Sequence, residues 1–444
     1  MRTTIRYILL FALLALVGCR KDDAPRYPHS SRVVLVYMAG DNNLGGYVWD
    51  NLEAMMRGMA SAPAGSRTIA YVDTPGENPR LVEVASSGTE TLHAWPSPHN
   101  SASATTVREV VSLVRTLAPA DRYGLVLWSH GLAWMPSWAT GYLTRSKARM
   151  AEPWPQTKHD GAVSASSASA ACSDAVPVSV TTPWPPTRWF GQDTGESPAG
   201  YLDTEQLSEA IPSGVFDWIL FDACFMASAE TLYALRDKAE RIVCSPAEVI
   251  ADGFPYAEIM AELLRPEPDL RSVCESYYLH YARHAQSSYR SATVSLVETS
   301  QLEALAAATA SVLGTALAAD PDALAGMDLS RVQSMDRYRR HFLFDAGSVV
   351  SELETRGLVP ASLAEAWRAQ LARTVTYEAH TPTMLGLALD ACCGLSMYVP
   401  VSAYADLNGY YRTLEWYARC YPADYSAINE AMNMRYYKMS FNTL

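Results

Sequence analysis

Arg32-Val33-Val34-Leu35-Val36-Tyr37-Met38-Ala39-Gly40-Asp41-Asn42-Asn43 begins as an unbroken apolar, β-branched run and closes on turn residues. A strand with one wet face alternates apolar and polar positions. A run apolar throughout instead fits a strand covered on both faces, as in a parallel α/β sheet. Beyond the turn, Leu44, Val48, Leu52, Met55 and Met56 recur at helical spacing, so the stretch predicts strand, loop and helix in succession.

Working outward, the alternation continues. Thr68 to Val72 reads as a second strand, closed by Asp73-Thr74-Pro75-Gly76. Val107 to Leu117 is amphipathic, with Val110, Val111, Val114 and Leu117 on one side, and leads into a third strand, Tyr123 to Trp128. Trp218 to Phe221 is a fourth strand, followed by a helical stretch from near Met226 through Leu235. Strands alternating with helices predict an open, mostly parallel α/β sheet flanked by helices. Between the third and fourth strands lies a segment rich in Ser, Ala, Thr and Pro, residues 137–200, whose middle reads as a mobile insertion loop. A helix over 202–211 is expected to open at Asp203 or Thr204. Residues 256–317 predict two or three helices, residues 362–379 another, and Gly394 to Val399 a late strand. The Tyr-rich 401–444 is expected to be a helical or irregular C-terminal extension to a domain over 32–400.

At the N-terminus, Arg2 and Arg6 precede an apolar run, Ile8 to Val17, too short to cross a bilayer and laid out like an export signal. The run ends in Leu16-Val17-Gly18-Cys19, which resembles the bacterial lipobox. That resemblance implies cleavage of residues 1–18, lipid on Cys19 and a tether over 19–31. Several acyl chains hold a protein to a membrane far better than one. Arg20-Lys21-Asp22-Asp23 resembles the charged tag that sends some lipoproteins to the cell surface, so the expected location is the bacterial envelope, as an outer-membrane lipoprotein. The formal charge of −12 falls further once the two leader arginines are removed, which argues against a nucleic-acid partner. With 49% apolar residues over 444 positions, the chain can bury a large core. Its 8 cysteines form no spaced framework and no zinc-type pattern, and the adjacent Cys392 and Cys393 do not favour a mutual disulfide.

Two residues carry chemistry by position. His130 leaves the strand ending at Trp128, and Cys224 leaves the strand ending at Phe221, each at the carboxyl end where doubly wound sheets present groups to ligand. An imidazole beside a thiol raises its thiolate fraction for attack on a carbonyl, and the same ring then protonates the leaving amine. Gly131, without a side chain, lets its N–H approach a developing oxyanion, with the N–H of Cys224 as second donor. Singly, a cysteine or histidine after a buried strand reads as core. Both at strand exits, in the order His then Cys, read as a dyad.

The set Val34 to Asn43, Trp128-Ser129-His130-Gly131, Phe221-Asp222-Ala223-Cys224-Phe225-Met226 with Glu230 and Tyr233, and Gly394-Leu395-Ser396-Met397-Tyr398-Val399-Pro400 resembles the clostripain peptidases over about residues 32–400. The resemblance implies a caspase-like fold, a His130/Cys224 dyad without an obligatory third carboxylate, and hydrolysis of peptide or protein substrates. It further implies a preference for Arg or Lys before the scissile bond, held by acids beside the nucleophile. Asp222 matches one such position and Asp252 is the candidate for the second, with Glu248 a rival on the same loop. A carboxylate pair suits a cationic side chain, although Asp222 also reads as a junction cap and Asp252-Gly253 as a plain turn. The stretch from His130 to Cys224 exceeds what a compact member needs. Arg145, Lys147, Arg149 and Lys158 give its loop sites for self-cleavage. No Asp-x-Asp-x-Asp-Gly calcium loop is present, and no cofactor or metal is expected. The rival reading is a catalytically silent scaffold that binds proteins or glycans, with Trp95, Trp134, Trp138 and Trp154 as cleft-lining candidates.

Overall fold

The computed structural model describes residues 27–136, 192, 193, 195, 200–338, 340–423 and 425. Nine strands form one sheet: β1 (Ser30–Ala39), β2 (Ser66–Asp73), β3 (Arg80–Ala85), β4 (Gly88–Ala94), β5 (Ala120–Trp128), β6 (Phe216–Asp222), β7 (Arg241–Cys244), β8 (Thr293–Glu298) and β9 (Val375–His380). Their order is β9-β8-β7-β6-β5-β1-β2-β3-β4. The five central strands, from β7 to β2, are parallel. Antiparallel pairs extend the sheet at both flanks.

The parallel centre forms because its strands are apolar on both faces. In β1 every residue from Val33 to Ala39 is at most 2% exposed, and in β6 Trp218 to Phe221 are all 0% exposed. Such strands need helices above and below. On one side lie α1 (Gly45–Met59), which packs on α5 (Tyr256–Leu263), and α6 (Leu270–Ala282) beyond it. On the other run α2 (Ala104–Leu117), α3 (Thr204–Ala210) and α4 (Ala229–Ala234), continuing to α7 (Leu302–Ala319). Helix α7 is long and apolar enough to pass as a membrane span. In this fold it is a packing helix: Trp367 Nε1 in α9 (Ala361–Thr374) donates to Thr309 Oγ1 at 2.9 Å. Helix α8 (Ala346–Thr355) packs on α9, and α10 (Ala405–Tyr411) and α11 (Glu415–Cys420) are the α-helices among the described residues after 401.

From β1 the chain crosses to β2 on one side, then returns to lay β5 on the other side of β1. The β1/β5 boundary is therefore the switch point, where loops from the two halves diverge and leave a crevice at the strand ends. His130 lies at its rim.

Several elements differ from the sequence reading. The helix expected over 362–379 ends at Thr374, and Val375–His380 turns into edge strand β9, where Val, Thr and Tyr favour extended backbone. Within the expected late strand, Ser396–Met397 pairs with Phe344–Asp345 in a separate two-stranded piece. The helix expected from near Met226 starts at Ala229, with Ser228 as its cap, because Phe225 and Ala227 are held by Ala247 and Ser245 through backbone bonds of 2.8 and 2.9 Å. Strand β8 lies inside the stretch expected to hold two or three helices, between α6 and α7. At the end of the expected loop, Gln192–Asp193 pairs with Gly200–Tyr201. The predicted leader, Cys19, Trp138, Trp154, the four basic loop residues and the middle of the expected insertion loop lie outside the described residues.

Candidate active site

The site is assembled where β1, β5 and β6 end. Trp128 at the end of β5 sits opposite Asp222 at the end of β6, so the two following segments leave the sheet level with each other. Ser129 Oγ donates to Ala39 O at 2.9 Å, and Trp128 Nε1 donates to Asn51 Oδ1 at 2.7 Å. These bonds fix the exit of β5 against β1 and α1. The buried His130 ring follows, with Nε2 2.7 Å from Oδ1 of Asn43 in the loop after β1. An acceptor at Asn43 requires the proton on Nε2.

Gly131 brings this segment onto the other. A Cβ built on it would lie 2.0 Å from Cys224 O and 2.8 Å from Cys224 N, so only glycine allows this approach. The two residues read as oxyanion donors are thus in backbone contact. Cys224 is buried, and its Sγ accepts from Val249 N at 3.1 Å and faces Val249 O at 3.6 Å. Phe225, immediately after it, has φ +64°, a left-handed conformation uncommon for a bulky side chain. Backbone strain of this kind persists where surrounding contacts over-determine it, and it clusters at functional sites. Here those contacts are the bonds from Phe225 and Ala227 to the segment after β7, and Ser396 N donating to Ala227 O at 2.9 Å.

The acids divide. Asp222 is 0% exposed and its Oδ2 accepts from Tyr256 OH at 2.8 Å and Phe254 N at 3.3 Å, tying the end of β6 to the segment that carries Asp252. Asp252 is exposed, in a turn closed by Gly253 N to Ile250 O at 2.9 Å. The turn is clamped by Asn51 Nδ2 to Asp252 O at 3.1 Å and by Tyr281 OH to Gly253 O at 2.6 Å. Glu248, the rival, is 6% exposed and bound through both oxygens by Arg337. Burial opposes the Arg337 charge, but the Glu248 hydrogen bonds and charge outweigh it and hold the guanidinium above its ordinary pKa. Burial, with Glu248 and Asp336 next in effect, also pushes the Tyr338 phenol well up.

Three contributors escaped the sequence reading. Asn51 joins β5 to the Asp252 turn; its signal was a polar residue on the apolar stripe of α1 beside Val48, Leu52 and Met55. Asn43 was visible as turn chemistry and as the end of the first motif, without a role. Arg337, remote in the chain, offered no signal. Of the aromatic cleft candidates, Trp134 is fully buried, 4.9 Å from both Tyr398 and Tyr411, and Trp95 packs at 5.6 Å on Tyr71, so both are core. The described cysteines are all free thiols.

Against known proteins, the sequence model of the clostripain family matches residues 36–148 and 180–384. The structure resembles that of an inactive zymogen C11 protease from Parabacteroides distasonis, at TM-score 0.69 and 29% identity, covering 88% of this chain and 99% of that one. It also resembles a secreted C11 cysteine protease from Bacteroides thetaiotaomicron in complex with an irreversible peptide inhibitor, at TM-score 0.67 and 26% identity, with the same coverage. No curated protein matches the sequence significantly. The shared architecture is the caspase-like sheet expected from the motifs.

Proposed function

Because this chain belongs to the clostripain family of cysteine peptidases, we propose that it hydrolyses peptide bonds with Cys224 as nucleophile and His130 as general base and acid. The observation that carries this is the meeting of two strand exits: Gly131, next to His130, packs on the backbone of Cys224. With Nε2 committed to Asn43, Nδ1 is the nitrogen that takes the thiol proton and later delivers it to the departing amine. The carbonyl carbon forms its bond to Sγ, and the N–H groups of Gly131 and Cys224 stabilise the oxyanion before the amine leaves. Water then hydrolyses the thioester.

A basic residue precedes the cut. Asp252, exposed at the rim, meets the cationic side chain, while Asp222 contributes negative charge from below and holds Tyr256 and Phe254 in place. The protein works in the envelope, held to the membrane by lipid on Cys19. The motif Leu16 to Cys19 supports this part.

Hydrolysis of fluorogenic peptides ending in Arg, Lys, Asp, Asn or Leu tests the reading. Cleavage after Arg or Lys is expected, with Cys224→Ala lowering it by about ten-thousand-fold. Asp252→Asn should raise KM for the basic peptides. Cleavage after another residue discards the roles of Asp222 and Asp252, and turnover that survives Cys224→Ala discards the dyad.

A further inference from the structure

Edge strand β9 carries Glu378 and His380, alternate residues on one face of the strand. They are joined: His380 Nδ1 lies 2.6 Å from a Glu378 carboxylate oxygen. The chain then makes a small hairpin, Thr383–Met384 against Leu387–Ala388, and returns at Cys392. There one ligand-capable atom from each of Glu378, His380 and Cys392 lies within 4.8 Å of the other two.

The neighbouring cysteine is occupied elsewhere. Cys393 N donates to Asp345 Oδ2 at 2.6 Å, and its thiol meets Gly347 N at 3.3 Å and Leu395 O at 3.2 Å, at the start of α8. That leaves Cys392 to serve the β9 side. The return is held close by Gly394, at φ +80°, where a Cβ would meet Ser295 Oγ at 2.8 Å and Glu378 Cγ at 2.9 Å. Ser295 Oγ donates to Gly394 O at 2.7 Å from the adjacent strand. Glu378, His380 and Cys392 are each partly exposed, which gives an ion a path from solvent.

The geometry points to Glu378, His380 and Cys392 as the ligands of a zinc-class divalent cation. One carboxylate oxygen, one imidazole nitrogen and one thiolate sulfur form a borderline-soft set, whereas calcium and magnesium take oxygen almost exclusively. Zinc bonds of about 2.0–2.3 Å put tetrahedral ligand atoms roughly 3.3–3.8 Å apart, so the 2.6 Å contact between His380 and Glu378 opens on binding, and any donors near the 4.8 Å limit move in. On binding, the Cys392 thiol proton passes to solvent as the metal–sulfur bond forms, the neutral imidazole of His380 binds through its unprotonated nitrogen and keeps the proton on the other, and Glu378 binds as carboxylate. The fourth position faces water. The ion clips the excursion over residues 381–391 to the edge strand.

The test uses the full chain carrying Cys224→Ala, so that the thiol of the proposed nucleophile does not compete for metal. Titration with Zn²⁺ should show one tight equivalent and a rise in melting temperature, and Co²⁺ should give a thiolate-to-cobalt charge-transfer band. His380→Gln and Cys392→Ser should each weaken Zn²⁺ binding by about tenfold or more and cancel the thermal gain. Cys392→Ser should also remove the band. Melting without metal checks that each variant folds, and if one does not, affinity in the other decides. Absence of a tight equivalent, affinity unchanged in a folded variant, or equal stabilisation by Ca²⁺ overturns the site.

Discussion

A methyl group on Gly131 would fall 2.0 Å from the carbonyl oxygen of Cys224, a separation only a backbone shift can relieve. Gly131→Ala should therefore push the two strand exits apart. A misplacement of about an ångström at reacting groups costs on the order of a hundredfold in rate, and steady-state kcat/KM on an Arg peptide is the measurement. Asn43 offers a contrasting test. It is exposed, and its tie to His130 is one 2.7 Å contact, so Asn43→Ala should leave the melting temperature nearly unchanged. The lost ring orientation should lower kcat by roughly tenfold with little change in KM, the pattern of an interaction made chiefly in the transition state. At this scale the sequence showed the residue types but not their ties. That the segments carrying His130 and Cys224 leave neighbouring strand ends was legible, because each follows an apolar run, and the structure brings Gly131 against the Cys224 backbone there. The pairing of Asn43 with His130, and of Glu248 with Arg337, depends on contacts between segments remote in the chain, for which one sequence holds no signal.

Among the elements, the parallel centre was legible and the flanks were not. Strands β1, β2, β5 and β6 announce themselves as apolar runs because helices cover both faces. Strand β7 has only four residues, and β9 follows α9 without a break, so neither has the length or the punctuation that separates strand from helix. Helix α3 was readable from its start signal, and the structure shows why. Asp203 accepts from Gln206 N at 2.9 Å, while Gln206 Oε1 accepts from Asp203 N at 3.2 Å, a reciprocal capping box. Thr204, the first residue of that helix, donates to Ala133 O at 3.0 Å, which ties the cap to the segment carrying His130. Asp203→Ala should cost about 1 kcal/mol of stability, visible as a lowered urea midpoint.

For the whole molecule, two buried carboxyl groups make stability depend on pH. Glu230 is held up to about 7 from 4.5 chiefly by burial, against the hydrogen bonds from Tyr398 N and Tyr411 OH that favour its charge. Asp73 is likewise raised from 3.8 to about 7 by burial, with Asp193 and Asp41 adding to the rise and a bond from Ser101 opposing it. Between the unfolded and folded values the native chain binds more protons than the unfolded one, so stability falls as pH rises through that window. Glu230 joins α4 to Tyr398 beyond the late strand and to Tyr411 in α10, so this penalty sits where the C-terminal helices dock. Glu230→Gln keeps an acceptor and removes the titration. Its melting temperature should therefore decline less than that of the parent between pH 4.5 and about 7, and an equal decline would contradict the assignment.

The His130/Cys224 dyad is tested most directly by covalent labelling. The chain would be treated with an irreversible electrophilic peptide ending in Arg, and the modified residue located by mass spectrometry after digestion, in the parent and in His130→Ala. The account predicts one adduct, on Cys224, blocked by excess Arg peptide and formed about a hundredfold or more slowly without the imidazole. An adduct on another residue, or labelling of Cys224 at the same rate in His130→Ala, would contradict it.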